Sequence, residues 1–293
     1  MKSKLGLVLE GGAMRGMFTA GVTDVLMENG ISFDGIIGVS AGAAFGCNIK
    51  SGQIGRVIRY NKKYCRCKDF VSISSLIKTG DLYGADFGYR RIPDELDPFD
   101  REAFRNDPAE FYVVCTDMNT GRPVYHKCET GSDEDIQWMR ASASMPLASR
   151  PVVINGAELS DGGTADSVPL RYFESIGYSK NVVILTQPEG FVKKQTKLYP
   201  AVKLSLINYP KLADALKRRP QMYNSELRYI KKREMSGDAF VIRPPKPLGI
   251  NHVEHDPSEL ERVYQTGRKT AVSVLGDLKS FIGAVRASDE RSD

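Results

Sequence analysis

Apolar positions change their period several times along the first fifty residues. Residues 5–9 (L-G-L-V-L) form a short unbroken apolar run closed by a glycine-rich stretch, the pattern of a strand buried on both faces. From residue 17 to residue 27 apolar side chains return at helical spacing, and Asn29-Gly30 supplies the stop. Residues 32–39 read as a second strand and the small-residue run 41–49 as a second helix. This β-α-β-α rhythm predicts a parallel sheet with helices on its faces. Further strands fit 111–116, 152–154, 181–186 and 239–242, and Asn119-Thr120-Gly121 has the composition of a hairpin turn between Val113 and Tyr125. Residues 257–285 read as one long amphipathic helix with Asp256 as its N-cap.

Two stretches lack such a period. Residues 61–100 mix charges, turn glycines and aromatics, and are expected to form an irregular segment over one end of the sheet, a lid or binding loop. Between residues 193 and 233 there are twelve Lys/Arg and only two acids, Asp214 and Glu226, with Tyr199, Tyr209, Tyr223 and Tyr229 interleaved.

Composition narrows the class. The chain has 293 residues, 41% hydrophobic and 26% charged, enough for a sizeable core without covalent staples. A formal charge of +5 is too mild to point to nucleic acid. Five cysteines, an odd number without regular spacing, argue against a disulfide framework and for a reducing, cytoplasmic setting. Cys65-x-Cys67 has a poor spacing for zinc. The first apolar run ends at Glu10, too soon for a signal-peptide core, and no later run approaches the roughly 20 residues a membrane span requires. Any membrane contact is therefore expected to be peripheral, and the basic 193–233 stretch suits an anionic surface.

Three motifs carry chemistry. G-V-S-A-G at 38–42 sits between a strand and a helix, as a nucleophile elbow does, with Gly38 and Gly42 leaving room around Ser40. An N-cap serine is the plain alternative. A serine hydroxyl needs a base in contact with it. The three histidines are His126, His252 and His255, and a Ser-His-Asp esterase is conceivable on paper, but that fold puts several strands before its elbow. Asp161 in L-S-D-G-G-T, at a predicted strand end, is the better base. Gly162 and Gly163 let that backbone pass close to a partner, and a plain turn aspartate is the rival reading. Such a carboxylate needs a dry site to raise its proton affinity. E-G-G-A-M-R-G at 10–16 opens a helix with outward N–H groups suited to a phosphate or an oxyanion, Gly16 supporting the loop and Arg15 supporting it or attracting an anionic headgroup, with a surface salt bridge as its plain alternative. Its glycines at 11, 12 and 16 do not match the dinucleotide fingerprint.

Glycine loop, elbow and D-G-G in this order resemble the patatin-like phospholipases. C-T-D-M-N-T-G-R (115–122), R-A-S-A-S-M-P (140–146) and D-G-G-T-A-D-S-V-P (161–169) are similar to further landmarks of that family. The resemblance covers residues 5–175 as a catalytic domain, with 176–293 as a C-terminal part on the same core. It implies a three-layer α/β/α sandwich with a mostly parallel central sheet and a helical C-terminal extension. It further implies a lipid acyl hydrolase in which Ser40 attacks the ester and Asp161 takes its proton. Backbone N–H groups of Gly11, Gly12 and Ala13 would receive the oxyanion, without a metal or cofactor. Ala13 stands where the family usually has a third glycine, so a positive φ there would be strained. Asp166 departs from a nearby asparagine of the family pattern. A non-catalytic module that binds a lipid or phosphate through the same loop is the alternative of a different class.

Overall fold

The computed structural model describes residues 4–70, 84–146, 148–197 and 199–290. Among the described residues eight strands form one sheet: β1 (Leu5–Leu9), β2 (Gly35–Val39), β3 (Glu110–Asp117), β4 (Pro123–Cys128), β5 (Val152–Ile154), β6 (Ala157–Asp161), β7 (Lys180–Ile184) and β8 (Ala239–Ile242). The helices are α1 (Gly16–Glu28), α2 (Ala41–Lys50), α3 (Arg56–Tyr64), α4 (Arg101–Asn106), α5 (Asp133–Ser142), α6 (Leu170–Ser175), α7 (Tyr199–Ser205), α8 (Pro210–Met235) and α9 (Pro257–Glu290). β3, β2, β1, β7 and β8 run parallel side by side, whereas β4, β5 and β6 pair antiparallel.

Alternation along β1 explains the layers. Leu5, Leu7 and Leu9 point into one core with Phe18, Ile36, Phe111, Leu260 and Leu278, under α1, α2, α3, α5 and α9. Val8 points the other way, with Ile37, Val183, Phe173 and Tyr223, under α6 and α8. A strand covered on both faces is apolar throughout, which is why the runs read so plainly. The outcome is the expected three-layer sandwich with a mostly parallel sheet and a long C-terminal helix. Helix α9 packs tightly on α1: a methyl on Gly21 would stand 2.0 Å from the Tyr264 carbonyl oxygen, and one on Gly267 2.1 Å from that of Phe18.

Local expectations fare unevenly. α1 stops at Asn29, and the Ser258 N–H donates to the Asp256 carboxylate at 2.9 Å at the start of α9. Asn155 (φ 51°) and Gly156 (φ 79°) turn β5 into β6, both in the left-handed region that such a two-residue hairpin turn uses. The strand expected at 32–39 starts only at Gly35, because the Asp34 side chain accepts from the Leu5 N–H at 2.7 Å and its own N–H donates to the Leu5 carbonyl. The irregular segment expected over 61–100 is corrected at both ends. α3 runs to Tyr64, and Phe87–Leu96 winds as a π-helix that contains Pro93. A π-helix repeats every 4.4 residues or so, which a search for a 3.6 period misses. Residues 71–83 lie outside the described residues, and with them the middle of the expected lid.

Candidate active site

The register of β3 brings the two principal candidates together. β4 pairs along Phe111–Thr116, so β2 and β6 must share the opposite edge of β3. β2 takes Glu110 to Val114, with Val39 opposite Val114; β6 takes Cys115 to Asp117, with Asp161 opposite Cys115. Ser40, the residue after Val39, therefore meets Asp161 where one partner strand leaves off and the other begins. The Ser40 hydroxyl and the Asp161 carboxylate line the same cavity, the hydroxyl close enough to lower the proton affinity of the carboxylate.

Ser40 sits at φ 55°, ψ −122°, a strained turn for a residue with a side chain. The turn is held by packing on every side. A methyl on Gly38 would meet the Gly42 carbonyl oxygen at 2.5 Å, and one on Gly42 would meet that of Leu9 at the same distance. The Ser40 N–H donates to the Ser142 hydroxyl at 2.9 Å, which donates to the Val114 carbonyl at 2.6 Å. Two residues on, the Ser144 carbonyl accepts from the Asp161 N–H at 2.8 Å. The small-residue segment at the C-terminal end of α5 thus fastens both candidates from one side.

Asp161 is 6% exposed. Burial raises its carboxyl above the ordinary carboxylate value, opposed by the Arg219 charge, the Ser40 hydroxyl, the Gly163 N–H (2.8 Å) and Lys193. Such a group holds a proton more readily than an exposed aspartate, as direct proton transfer from serine requires. Gly162 lies against β3: a methyl there would stand 2.1 Å from the Val114 carbonyl oxygen. A methyl on Gly163 would meet the Asp161 carboxylate at 3.0 Å and the Arg219 guanidinium at 3.2 Å.

The glycine loop closes the third side. A methyl on Gly11 would lie 2.9 Å from the Ser40 Cβ, so the loop runs directly against the serine. Gly12 and Gly16 back onto the Thr186 hydroxyl and the Phe45 ring. Ala13 does adopt a positive φ, 47°, the strained case. Among the described residues, the N–H groups of Gly11, Gly12 and Ala13 have no protein acceptor. Arg15 holds the loop through the Thr186 hydroxyl (3.5 Å), and its guanidinium lies 3.4 Å from His252 Nε2.

The histidines are elsewhere or otherwise engaged. His255 Nδ1 lies 2.6 Å from the Cys65 carbonyl oxygen. His126 stacks on Trp138 at 4.1 Å, with Cys128 and Asp135 close enough to form a three-residue cluster, but one Asp135 oxygen already accepts from the Thr130 and Gly131 N–H groups. His252 lines the cavity beside Ser40, facing Arg15. All five cysteines are free thiols.

Two cavities meet at Ser40, Ala13 and Met145. One is apolar, lined by Met14, Phe45, Tyr60, Phe70, Tyr89 and Met139. The other is the more polar of the two and carries the charged residues Asp161, Arg15, Lys193, Lys194 and Arg219. Sequence reading missed Ser142, Lys193 and Arg219 as parts of the site. Only the basic composition of 193–233 hinted at the last two.

Comparisons with known proteins place the chain in a family. The sequence model for "Patatin-like phospholipase" matches residues 7–174, and one for "Domain of unknown function (DUF6363)" matches 209–283. The chain is 28% identical to the uncharacterized protein YjjU of Escherichia coli, over 90% of this chain and 75% of that one. It is 26% identical to the lysophospholipase nte1 of Aspergillus terreus, over 94% of this chain but only 18% of that much longer protein. Among solved structures, VipD from Legionella pneumophila aligns with a TM-score of 0.48 at 14% identity, covering 94% of this chain and 67% of that one. With more than half of its length matched by the family model, the chain belongs to the patatin-like phospholipase family.

Proposed function

We propose that the chain is a lipid acyl hydrolase working through a Ser40–Asp161 dyad. The observation that carries this reading is the juxtaposition, set by the β3 register, of the Ser40 hydroxyl and a buried carboxyl of raised proton affinity, at the mouth of an apolar cavity. Ser40 Oγ attacks the ester carbonyl carbon while Asp161 takes the hydroxyl proton. The carbonyl oxygen becomes an oxyanion, received by the N–H groups of Gly11, Gly12 and Ala13, which lack a protein acceptor among the described residues. Collapse breaks the bond to the alcohol oxygen, which leaves with the proton from Asp161. Water then attacks the acyl-enzyme, gives its proton to Asp161, and the fatty acid departs as Ser40 regains a proton. No step calls for a metal or cofactor.

The relatives named as lysophospholipases support a lipid ester as substrate. The polar rim supports peripheral contact with an anionic membrane surface: exposed Val192, Leu204 and Ile207 stand among Lys194, Lys197 and Lys203. No helix among the described residues is long and apolar enough to cross a membrane.

Steady-state hydrolysis of a lysophospholipid by wild type, Ser40→Ala, Asp161→Asn and His252→Ala tests the dyad. The reading expects turnover to be lost in the first two variants and retained in the third. Loss only with His252→Ala and not with Asp161→Asn would transfer the base to histidine. Ligand binding without turnover in wild type would favour the non-catalytic module.

A further inference from the structure

We infer that Arg15, Lys193 and Arg219 form an anion subsite that receives a phosphate carried by the alcohol portion of the lipid ester; this rests on Ser40 being the nucleophile. The first argument is the meeting of the two cavities at Ser40. With the ester carbonyl at Ser40 and the acyl chain in the apolar cavity, the alcohol portion projects into the polar one.

The second argument is charge. The polar cavity is lined by the cations Arg15, Lys193, Lys194 and Arg219 and by two acids, Glu10 and Asp161. The Glu10 carboxylate is turned into the protein, accepting from the Thr186 N–H at 2.5 Å and the Tyr223 hydroxyl at 2.7 Å. Asp161 is engaged with Ser40 and the Gly163 N–H. Among the described residues, none of Arg15, Lys193 and Arg219 has a carboxylate within 4.0 Å. Four cations against two acids, neither acid in an ion pair with Arg15, Lys193 or Arg219, leave an excess of positive charge that favours an anionic ligand.

The third argument is that the cations are fixed in place. Arg219 Nε donates to the Gly163 carbonyl at 2.6 Å, Arg15 Nε donates to Thr186, and the Lys193 ammonium lies 4.8 Å over the Tyr223 ring. Asn224 on α8 pins the Lys193 backbone from both sides, accepting from its N–H at 2.9 Å and donating to its carbonyl at 3.0 Å. Burial, with the Arg219 and Arg15 charges, pushes the Lys193 ammonium down to about 8 against the opposing pull of Glu10 and Asp161. Lys193 and Arg219 lie beyond residue 174, outside the stretch that matches the family, so the C-terminal part contributes to selection of the substrate.

Two 1-oleoyl esters that differ only in the phosphate separate the possibilities: 1-oleoyl-lysophosphatidic acid and 1-oleoylglycerol. The inference expects wild type to prefer the phosphorylated ester. Lys193→Met lowers the ratio of the two kcat/KM values about tenfold or more, and Lys193→Arg restores it. Inorganic phosphate competes with the phosphorylated ester in wild type. Calorimetric titration of inorganic phosphate into Ser40→Ala reads the subsite without catalysis, and Lys193→Met in that background weakens binding by a similar factor. An unchanged ratio in Lys193→Met, or unchanged phosphate affinity, overturns the subsite. Phosphate binding without any preference for the phosphorylated ester in wild type overturns the headgroup assignment in favour of a free-phosphate site. A wild type that hydrolyses neither ester contradicts the hydrolase reading, and the titration still decides whether the phosphate site exists.

Discussion

The Ser142 hydroxyl accepts from the Ser40 backbone N–H at 2.9 Å while donating to the Val114 carbonyl at 2.6 Å. One fully buried side chain thereby locks the strained turn at Ser40 to β3, the strand against which Asp161 of β6 pairs. Ser142→Ala leaves a buried donor and a buried acceptor unsatisfied, at a cost of about 1–3 kcal/mol. The expected result is a lower midpoint of thermal unfolding together with a fall in kcat on a short-chain ester, KM changing less. Unaltered kcat with unaltered stability would contradict the bridging role.

In the proposed dyad Asp161 couples activity to instability. Its carboxyl is buried and its proton affinity raised, so the ionised form, which the proposed mechanism uses as base, is disfavoured in the fold. Asp161→Asn is expected to abolish hydrolysis yet raise the unfolding temperature at pH 7, since the amide oxygen still accepts from Gly163. The sign follows from the raised value: the folded chain binds the proton more tightly than the unfolded one, so Asp161 weakens the fold as pH rises. The gain from Asp161→Asn therefore shrinks on acidification, where wild-type Asp161 is protonated in both states. Unfolding temperatures of both proteins between pH 4 and 8 check this. In wild type, the acid limb of kcat/KM should lie above the ordinary carboxylate range.

A carboxyl pair stands behind the Asp161 loop. Asp166 accepts from the Tyr125 hydroxyl at 2.7 Å and hydrogen-bonds Glu226, which itself accepts from the Ser167 and Val168 N–H groups at 3.3 and 3.2 Å. Burial and the Asp166 charge push Glu226 up to about 9. The folded chain then keeps a proton that the unfolded chain releases near pH 4–5, so stability falls with rising pH across roughly pH 4.5 to 9. Asp166→Asn supplies an amide donor in place of the shared proton and is expected to flatten that fall. Equal slopes of unfolding temperature against pH in both proteins would contradict the shared proton.

Helix α9 is built into the core through close backbone contact. Gly267→Ala puts a methyl 2.1 Å from the Phe18 carbonyl oxygen and is expected to destabilise by about 2–3 kcal/mol. Gly276→Ala, with nothing within 4 Å of the new methyl, is expected to stabilise the same helix by about 0.5–1 kcal/mol. Denaturant unfolding of the two variants measures the contrast.

Much of this architecture is legible in the sequence because strands buried on both faces leave unbroken apolar runs, as at Leu5–Leu9 and Ala239–Ile242. Ser40 and Asp161 were legible for a different reason: each sits at a strand end among glycines that only tight packing explains. Ser142 was not, since its importance lies in bonds to residues 102 and 28 positions away. Lys193 and Arg219 appeared only as members of a basic stretch, and no local pattern told that two of twelve cations would turn toward Asp161. The π-helix at Phe87–Leu96 escaped because its period matches neither a strand nor an α-helix.

The central claim is that Asp161 activates Ser40, and labelling with a fluorophosphonate probe tests it without knowledge of the natural lipid. The label, mapped by mass spectrometry, is expected on Ser40 in wild type and absent in Asp161→Asn. Label that persists on Ser40 without Asp161, or a wild type that takes none in the presence of lipid vesicles, would contradict the account.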